Sequence, residues 1–368
     1  PTDGEAFDRF GYSLDLYNNK IVIGSIYDDD HGENSGSAYV YIFNGSSWVL
    51  EQKINSDFQI EEAHFGRSVA IYDDMIVVGA YAEDNIFESM GSVTIFKHID
   101  QAWQEIDKIF SYDANAYDFF GNDVDIYEDI LVVGSYYADN DYDNSGSVYV
   151  YKFYEDAFFN ILKINAYDEF LNDNFGISVS VFNNFISVGT MNDDNGTNSG
   201  AVYIYEIIED EVNYELKIYP EDGEQYDEFG SSVSLFDNYL IAGSRLDDDM
   251  GYDSGSVYIF NYRGCGDANA CNYESTLIPD NQFCIYPDNS FDCDGNCIGV
   301  VDECGVCDGS GANGDIDFNG VISVNDIILL IGYMIENEPL NTCTADVNND
   351  NLVNITDLVV IIDIILNF

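Results

Sequence analysis

The sequence predicts a mainly β protein, a β-propeller of four-stranded blades followed by a small α-helical module. Three observations lead to this fold class. One unit of about 54 residues recurs five times within residues 1–263, and each copy reads as four short strands except the fifth, which stops after the third. Residues 312–368 differ from these copies, because two acidic loops there each run into an apolar helical segment.

Three glycine positions fix the register of the repeat. The dipeptide Phe-Gly recurs at steps of 55, 55, 55 and 54 residues, and a second glycine follows each copy by 13 residues. A third glycine lies in the segments SGSAY, MGSVT, SGSVY, SGAVY and SGSVY. Positions that keep their spacing through five copies predict five blades. The blades are expected near residues 4–54, 55–109, 110–164, 165–218 and 219–263.

The first four copies each contain the signals of four antiparallel strands, and the fifth contains the first three. Two β-rich runs flank a two-residue polar turn, as in SVAIYDDMIVVGA, and Asn and Asp in these turns tolerate the positive φ of a tight hairpin. A long acidic loop leads to a third strand such as GSVYVYKF, and a fourth run carries a lysine. We interpret this lysine as structural, either paired with a carboxylate or covering apolar surface with its stem. The lysines are Lys53, Lys108, Lys163 and Lys217.

The two ends of the repeat array do not match. Residues 1–11 align with residues 220–230, which directly follow a fourth strand, whereas the fifth copy stops after its third strand. We therefore expect the natural chain to extend further toward the N-terminus, which makes five blades a lower bound. The residues present predict either a five-bladed ring in which one blade lacks a strand, or an open arc.

The pattern FG-x-S-V, then I-V-V-G-A/S, then G-S-V-Y-V-Y resembles the FG-GAP repeat, the blade of integrin-α-like propellers. The resemblance covers residues 1–263 and implies a propeller with a role in extracellular recognition or cell adhesion. The acidic loops, such as YDDDHGENSG, lack the tight D-x-D-x-D-G spacing of metal-binding blades. We expect them to form a soluble surface suited to salty water, with weak extra calcium or ligand sites as the alternative.

Residues 264–311 are a cysteine-rich linker that holds seven of the eight cysteines. A segment this small needs cross-links, and disulfides are favoured over zinc. Zinc is the alternative because Cys293 with Cys297, and Cys304 with Cys307, have plausible ligand spacing. The run GCGDANACNY also resembles linkers of large secreted proteins of marine Bacteroidetes, which favours disulfides. The eighth cysteine, Cys343, is a candidate partner for a linker cysteine.

Two twelve-residue loops, 315–326 and 346–357, carry oxygen side chains at positions 1, 3, 5, 9 and 12. This spacing wraps hard oxygen ligands around Ca²⁺, with a backbone carbonyl at position 7. The sequence therefore predicts two bound Ca²⁺ ions. The expected ligands are Asp315, Asp317, Asn319, the Val321 carbonyl, Ser323 and Asp326 in the first loop, and Asp346, Asn348, Asp350, the Leu352 carbonyl, Asn354 and Asp357 in the second.

The two loops lie 31 residues apart and follow D-x-D-x-N-G-x-I-S-x-x-D or a close variant, which resembles a type I dockerin over residues 313–368. The resemblance implies calcium-dependent folding and docking to a cohesin module. In that family, loop positions 10 and 11 select the cohesin. These positions depart here from the Ser-Thr pairs common in clostridial members, so the identity of the partner stays open. They are Val324, Asn325, Ile355 and Thr356.

Composition excludes several classes of function. The chain has 11 Lys plus Arg against 69 Asp plus Glu, a net charge of −58, which excludes tracking of nucleic-acid phosphates. No apolar run is long enough for membrane insertion. Motifs of serine hydrolases, zinc proteases and P-loop enzymes are absent, so no enzyme is expected, although a glycosidase carboxylate pair would be hidden among so many acids.

We expect a secreted, non-catalytic recognition or adhesion protein, extracellular or at the cell surface. Its propeller would bind a glycan or a surface protein, and its dockerin would dock to a cohesin. Two alternatives stay open. One is a polysaccharide-active enzyme component that carries a dockerin, and the other is a propeller protein whose dockerin is only a calcium-stabilised terminal module.

Overall fold

The computed structural model of the protein divides into two units, Pro1–Arg263 and Gly264–Phe368. It describes the whole chain except residues 2, 59, 156, 193–198, 209–210, 221, 276, 288–290, 295, 299–312, 318, 320, 337–341, 349, 351 and 367–368, and the side chains of residues 215, 336 and 342.

The first unit consists of five antiparallel sheets, each built from one copy of the repeat. The first two sheets contain β1 (Phe10–Tyr17), β2 (Lys20–Ser25), β3 (Ser37–Phe43) and β4 (Trp48–Ile54), then β5 (Ser68–Tyr72), β6 (Met75–Ala80), β7 (Ser92–Ile99) and β8 (Ala102–Ile109). The next two contain β9 (Val124–Tyr127), β10 (Ile130–Ser135), β11 (Ser147–Tyr154) and β12 (Ala157–Ile164), then β13 (Ser178–Phe182), β14 (Phe185–Thr190), β15 (Ala201–Ile208) and β16 (Glu211–Ile218). The fifth contains β17 (Phe229–Phe236), β18 (Tyr239–Ser244) and β19 (Ser256–Asn261).

The hairpins form where the polar pairs predict them. The first residue of each pair has a left-handed φ between 52° and 55°, which Asn and Asp adopt at low cost. The strands on either side are rich in Val and Ile, and in the second and fourth blades both of their faces are almost entirely buried. The turn residues are Asn18, Asp73, Glu128, Asn183 and Asp237.

Successive blades are joined by the Phe-Gly dipeptide. Phe65 is 1 % exposed, and its backbone forms a parallel bridge with Gly36 of the preceding blade. A side chain at Gly24 would place its Cβ 2.1 Å from the carbonyl oxygen of Gly66, so the close approach of the two backbones requires glycine. The same bridge recurs at Phe120, Phe175 and Phe229. Apolar side chains from neighbouring blades fill the space between them.

This joint does not recur between the fifth and the first blade in the described residues. Phe10, the first-blade counterpart of Phe65, is 37 % exposed. The atoms nearest to a Cβ placed at Gly255 belong to Ser244 and Arg245 of the fifth blade itself, instead of to a Phe-Gly dipeptide of another blade. Leu14 on the first blade is 63 % exposed and Val257 on the fifth is 71 % exposed, whereas the corresponding residues of the inner blades are buried. The fold is therefore a five-bladed propeller in the open arrangement, one of the two that the sequence predicts.

The second unit begins with a small cross-linked segment. Strand β20 (Arg263–Gly264) pairs with β21 (Ile278–Pro279), and a short 3₁₀ helix follows at Asn281–Phe283. Disulfides join Cys265 to Cys284 and Cys271 to Cys293. Cys297 and Cys343 are also disulfide-bonded, whereas Cys304 and Cys307 lie outside the described residues. The disulfide prediction is confirmed, and Cys293 and Cys297 are not available to zinc.

The rest of the second unit is helical. It contains α1 (Val324–Glu336), α2 (Thr342–Ala345) and α3 (Ile355–Leu366). A small core of Ile316, Leu330, Ala345 and Ile361 is buried among them. Among the helices that the structure describes, none has the length and apolar character needed to cross a membrane.

Candidate calcium-binding and recognition sites

The first acidic loop brings three carboxylates together. Ligand oxygens of Asp315, Asp317 and Asp326 lie within 4.8 Å of one another. Asp326 is fully buried and Asp315 is 8 % exposed, so the group lies on the inner side of the loop. Among the described residues, no other set of three acidic, His or Cys side chains is grouped this closely.

Asp326 closes this loop. Its Oδ1 accepts hydrogen bonds from the backbone N–H groups of Ile316, at 2.7 Å, and Asp317, at 3.2 Å. Its Oδ2 accepts the N–H of Ser323 at 2.8 Å. The last residue of the loop therefore holds positions 2, 3 and 9. This is the geometry that gathers oxygen ligands around one point.

The second loop repeats this scheme 31 residues later. Asp357 is fully buried, its Oδ1 accepts the N–H of Asn348 at 3.2 Å, and its Oδ2 accepts the N–H of Asn354 at 2.9 Å. The two loops differ at position 3, where Asn348 stands in place of an aspartate and donates through Nδ2 to the Thr356 hydroxyl. The Leu352 carbonyl accepts a hydrogen bond from Asn354 Nδ2 at 3.0 Å.

The donor set of both loops fits Ca²⁺. Every expected ligand is an oxygen, which is the ligand type that hard divalent cations require. Lys, Arg and His do not occur after Arg263 in the sequence, so the second unit has no cationic side chain to offset the buried carboxylates of Asp326 and Asp357. Burying an uncompensated carboxylate is costly, and a bound cation removes that cost. Position 6 of the two loops, Gly320 and Asn351, lies outside the described residues.

The predicted partner-selecting residues lie at the starts of α1 and α3. Val324 is 60 % exposed and Ile355 is 68 % exposed, while the neighbouring Asn325 and Thr356 hydrogen-bond within their loops. Four further apolar side chains share their exposure and their 31-residue spacing. They are Val321 with Leu352, and Ile328 with Val359. Sequence reasoning missed Ile328 and Val359, which the pairing of apolar residues at that spacing would have revealed.

The recurring lysines of the blades pair with carboxylates, as the sequence predicts. Lys53 Nζ lies 2.8 Å from Asp28 Oδ2 and 3.1 Å from Asp3 Oδ2, and it also contacts Asp30 at 2.5 Å. Burial opposes ionisation of Asp28, but hydrogen bonds from Lys53 and Tyr39 lower its pKa below the ordinary value. The corresponding pairs are Lys108 with Glu83, Lys163 with Asp113 and Lys217 with Asp168.

A continuous row of rings crosses the first three blades. The row, which we call the aromatic ribbon, consists of Tyr27, His64, Tyr81, Phe119 and Tyr136. Successive ring centroids are 5.0, 5.4, 5.3 and 5.6 Å apart. All five rings are partly exposed, and burial lowers the pKa of His64, which favours its neutral form.

Two arginines flank the ribbon. Arg9 lies over the Tyr27 ring at 4.5 Å, and Arg67 lies over the Tyr81 ring at 5.2 Å. Arg67 also donates to Asn122 Oδ1 through Nη2 at 2.8 Å. Because rings, guanidinium groups and an amide alternate along it, this surface can contact both apolar and polar parts of a ligand.

Two members of the ribbon, His64 and Phe119, occupy a position of the repeat that varies in sequence but not in backbone. The residue before each Phe-Gly has a left-handed φ between 54° and 60° in all five blades. The side chain differs in every blade, which is unusual in a repeat this regular. These residues are Arg9, His64, Phe119, Asn174 and Glu228. The sequence analysis did not predict this surface. A position that varies in every copy of an otherwise constant repeat could have indicated it.

The inner strands of the blades line a central channel of about 490 Å³. Three carboxylates face it, and burial raises the pKa of Asp123 to about 6 and that of Asp125 to about 7. Asp125 Oδ2 accepts the Val181 N–H and the Ser180 hydroxyl of the next blade, each at 2.8 Å. Asp15 likewise accepts the Ile71 N–H at 2.7 Å. These aspartates therefore join neighbouring blades.

Comparison with known families agrees with this architecture. The model of the FG-GAP repeat matches residues 1–41, 48–96, 103–151, 159–205 and 213–260, and the model of the dockerin type I domain matches residues 313–366. No curated protein matches the chain significantly. Dockerin type I domains bind calcium and imply a cohesin partner, and both kinds of domain are typical of extracellular proteins. The chain belongs to the FG-GAP repeat family, and it carries a type I dockerin domain after its propeller.

Proposed function

We propose that this is a non-catalytic extracellular recognition or adhesion protein. Its propeller binds a ligand, and its dockerin attaches it to a cohesin when calcium is bound. The observation that carries the proposal is the repeated closure of the two acidic loops by buried Asp326 and Asp357, in a unit that has no Lys, Arg or His.

The cohesin contact is assigned to the exposed starts of α1 and α3. The apolar side chains there are Val324 and Ile328 on α1, with Ile355 and Val359 on α3. Exposed apolar side chains rimmed by polar ones are typical of a protein interface. Calcium acts indirectly here, because it holds the loops from which both helices begin.

The aromatic ribbon is the proposed ligand-binding surface of the propeller, and the proposed ligand is a neutral glycan. Partly exposed rings offer flat apolar faces for sugar rings, and Arg67 with Asn122 offers polar groups beside them. The strong negative charge of the chain disfavours an acidic polymer. The channel carboxylates support a non-catalytic role, because Asp125 hydrogen-bonds the next blade instead of standing free for proton transfer.

A cohesin pull-down tests the docking half of the proposal. The full chain is presented to a panel of immobilised cohesin modules with calcium or with EDTA. Capture is expected with calcium and a loss of at least a hundredfold in EDTA. The double variant Asp326→Asn with Asp357→Asn should fail in calcium, whereas Asp294→Asn, which changes an exposed carboxylate of the cysteine-rich linker, should bind normally. Capture that is indifferent to EDTA and to the double variant would contradict calcium-dependent docking.

Glycan binding tests the propeller half. A glycan array is probed with the full chain and with the variants Tyr81→Ala and Tyr136→Ala. Each variant should weaken binding at least tenfold, whereas Tyr252→Ala, which removes a 91 % exposed ring of the fifth blade, should not. Release of sugar fragments from any bound glycan would overturn the non-catalytic assignment.

A further inference from the structure

The fourth blade contains a buried hydroxyl group that has no hydrogen-bond partner among the described residues. Tyr205 on β15 is 3 % exposed, and its hydroxyl oxygen is buried and unpartnered. Burial raises the pKa of this tyrosine well above its ordinary value, so the hydroxyl keeps its proton and can both donate and accept a hydrogen bond. A buried polar group without a partner is costly and rare in folded proteins, so its presence here requires an explanation.

Packing of the blade does not require this hydroxyl. The same position of the repeat is Phe96 in the second blade, which is also 3 % exposed, and Phe260 in the fifth blade. In the third blade it is Tyr151, and the Asn160 side chain hydrogen-bonds its hydroxyl. Two blades therefore omit the hydroxyl and the third blade satisfies it, whereas the fourth blade keeps it without a described partner.

One change on the neighbouring strand accounts for the missing partner. The register places Asn160 of β12 directly opposite Tyr151, and Tyr214 of β16 directly opposite Tyr205. A phenol ring therefore replaces the amide that serves as the partner in the third blade. The centroid of this ring lies 5.9 Å from that of Tyr205, and the side chain is 42 % exposed. The same change removes a hydrogen-bond partner and adds an exposed aromatic surface.

A second exposed ring lies beside the first. Tyr167 is 62 % exposed, its ring centroid lies 4.6 Å from that of Tyr214, and the two side chains hydrogen-bond. Next to them, Asp168 accepts hydrogen bonds from the Tyr203 hydroxyl at 2.7 Å and from Lys217 Nζ at 2.8 Å. Flat apolar faces and hydrogen-bonding groups are therefore close together on this part of the fourth blade.

We propose that Tyr167, Tyr205 and Tyr214 form a second saccharide-binding site of the propeller, which we call the tyrosine site. The inference rests on the glycan-binding role proposed for the propeller, but it concerns another surface, because the aromatic ribbon crosses the first three blades. The exposed rings of Tyr167 and Tyr214 stack on the apolar face of a sugar ring. A hydroxyl of that sugar hydrogen-bonds the Tyr205 hydroxyl and supplies the partner that the free protein lacks.

The ligand of the tyrosine site is a neutral saccharide. The net charge of −58 disfavours an acidic sugar, and Lys217 is paired with Asp168, so its charge is already compensated. Because the Tyr205 hydroxyl oxygen is buried in the free protein, binding includes a turn of the exposed Tyr167 or Tyr214 ring. This turn, and the presence of two exposed rings where the ribbon has five, make the tyrosine site the weaker of the two sites.

Calorimetric titration of the full chain in calcium tests this site. The probes are the neutral linear hexasaccharides of glucose, xylose and mannose. The variant Tyr81→Ala weakens the ribbon and thereby isolates the tyrosine site, so it should still bind one saccharide per chain. Adding Tyr214→Ala to this variant should weaken the remaining binding by about tenfold or more, because a stacking ring is lost.

The change Tyr205→Phe separates ligand binding from packing. It removes only a buried oxygen without a described partner, so it should raise the melting temperature of the propeller. In the Tyr81→Ala background it should also weaken saccharide binding by about fivefold, because the hydrogen bond to the sugar is lost. A hydroxyl without a role in binding would give the gain in stability alone. Folding of this variant is expected, because Phe96 occupies the same position of the second blade.

The matched control is Tyr151→Phe in the third blade. This change removes a hydroxyl that the Asn160 side chain hydrogen-bonds, so it should lower the melting temperature. Saccharide binding should stay unchanged, because Tyr151 lies outside both proposed sites.

Two results would overturn the proposal. The first is the absence of binding of all three hexasaccharides to the Tyr81→Ala chain, and the second is equal affinity of this chain with and without Tyr205→Phe. Both results leave the ribbon intact as a site if the native chain binds and Tyr81→Ala abolishes the binding. A Tyr81→Ala chain that binds as tightly as the native chain, and loses affinity with Tyr205→Phe, would instead reject the ribbon and support the tyrosine site.

Discussion

The two units of this protein stabilise buried carboxylates in different ways. All 11 Lys and Arg residues lie in the first unit. Four blades place a lysine against a carboxylate, which lies either in the loop between the second and third strands or in the segment before the first strand. The second unit has no Lys, Arg or His, and its buried Asp326 and Asp357 belong to calcium-binding loops. The difference teaches that acidic side chains can be compensated in two ways within one chain. The propeller compensates them with its own lysines, and the dockerin compensates them with calcium ions from solution.

Removing calcium should give the largest effect on stability, and it should destabilise the second unit while leaving the first almost unchanged. In EDTA the second unit is expected to lose its cooperative unfolding transition, because the carboxylates of both loops are left without a cation. The melting temperature of the propeller should stay within about 2 °C of its value in calcium, which corresponds to less than about 1 kcal/mol. Calorimetry of the full chain with calcium and with EDTA measures both. A large fall in the propeller transition would show that blade loops also depend on calcium.

Breaking one disulfide should produce a smaller effect that is confined to the same unit. Cys271 and Cys293 are joined across 22 residues, and opening a loop of that size costs about 3 kcal/mol. The double variant Cys271→Ser with Cys293→Ser should therefore lower the stability of the second unit by about this amount. Urea unfolding followed by hydrogen exchange assigns the loss to a unit. Equal destabilisation of the blades would contradict their independence.

Removing a lysine should affect only the propeller, and by an amount that depends on burial. Asp28 is 3 % exposed beside Lys53, so Lys53→Met leaves a buried uncompensated carboxylate and should cost about 3 kcal/mol. Asp168 is 35 % exposed beside Lys217, so Lys217→Met should cost about 1 kcal/mol or less. Thermal unfolding of the two variants at equal calcium gives the comparison. Equal losses would mean that burial of the acid does not set the contribution of the pair.

The smallest effect is expected from the channel carboxylates, and it depends on pH. Burial raises the pKa of Asp125 to about 7, so the folded chain holds this proton more tightly than the unfolded chain. The stabilisation is therefore present at low pH and is lost as pH rises toward about 7. The melting temperature of the propeller should fall by a few degrees between pH 5 and pH 8, and Asp125→Asn should reduce that slope. A slope unchanged in this variant would assign the pH dependence elsewhere. Asp28, whose pKa is lowered, should act oppositely and lose its contribution only in acid below about pH 4.

The architecture could be predicted because its determinants are local and repeated. The glycines must stand where two backbones meet, as Gly24 meets Gly66, so their spacing reveals the blade spacing directly. The calcium loops could be predicted from the sequence as well, because twelve consecutive residues supply all the expected ligands of each loop. The FG-GAP and dockerin resemblances are confirmed on these grounds.

The remaining features depend on contacts between residues far apart in the chain. Lys53 pairs with Asp28, which follows the second strand of its blade, whereas Lys163 pairs with Asp113, which precedes the first strand of its blade. The sequence does not distinguish these two choices. The aromatic ribbon is similar, since Tyr81 and Phe119 meet only after two blades pack together. The sequence shows that the fifth blade lacks a fourth strand. Only the contacts of Lys53 in the first blade reveal that Asp222, Asp247 and Asp249 are the counterparts of a lysine-binding set of acids.

The way the chain leaves the propeller has a mechanical consequence. A pull on the second unit, such as drag on a ligand-bound propeller whose dockerin is held fast, reaches the blades through β19. Among the described strands β19 pairs only with β18, so tension applied at its end is carried by the hydrogen bonds between these two strands. Tyr262 lies at the exit point, fully buried, and its hydroxyl donates to the Asp237 carbonyl at 2.7 Å. Tension on the linker therefore reaches the buried Tyr262 and the pairing of β18 with β19 before it reaches the other four blades.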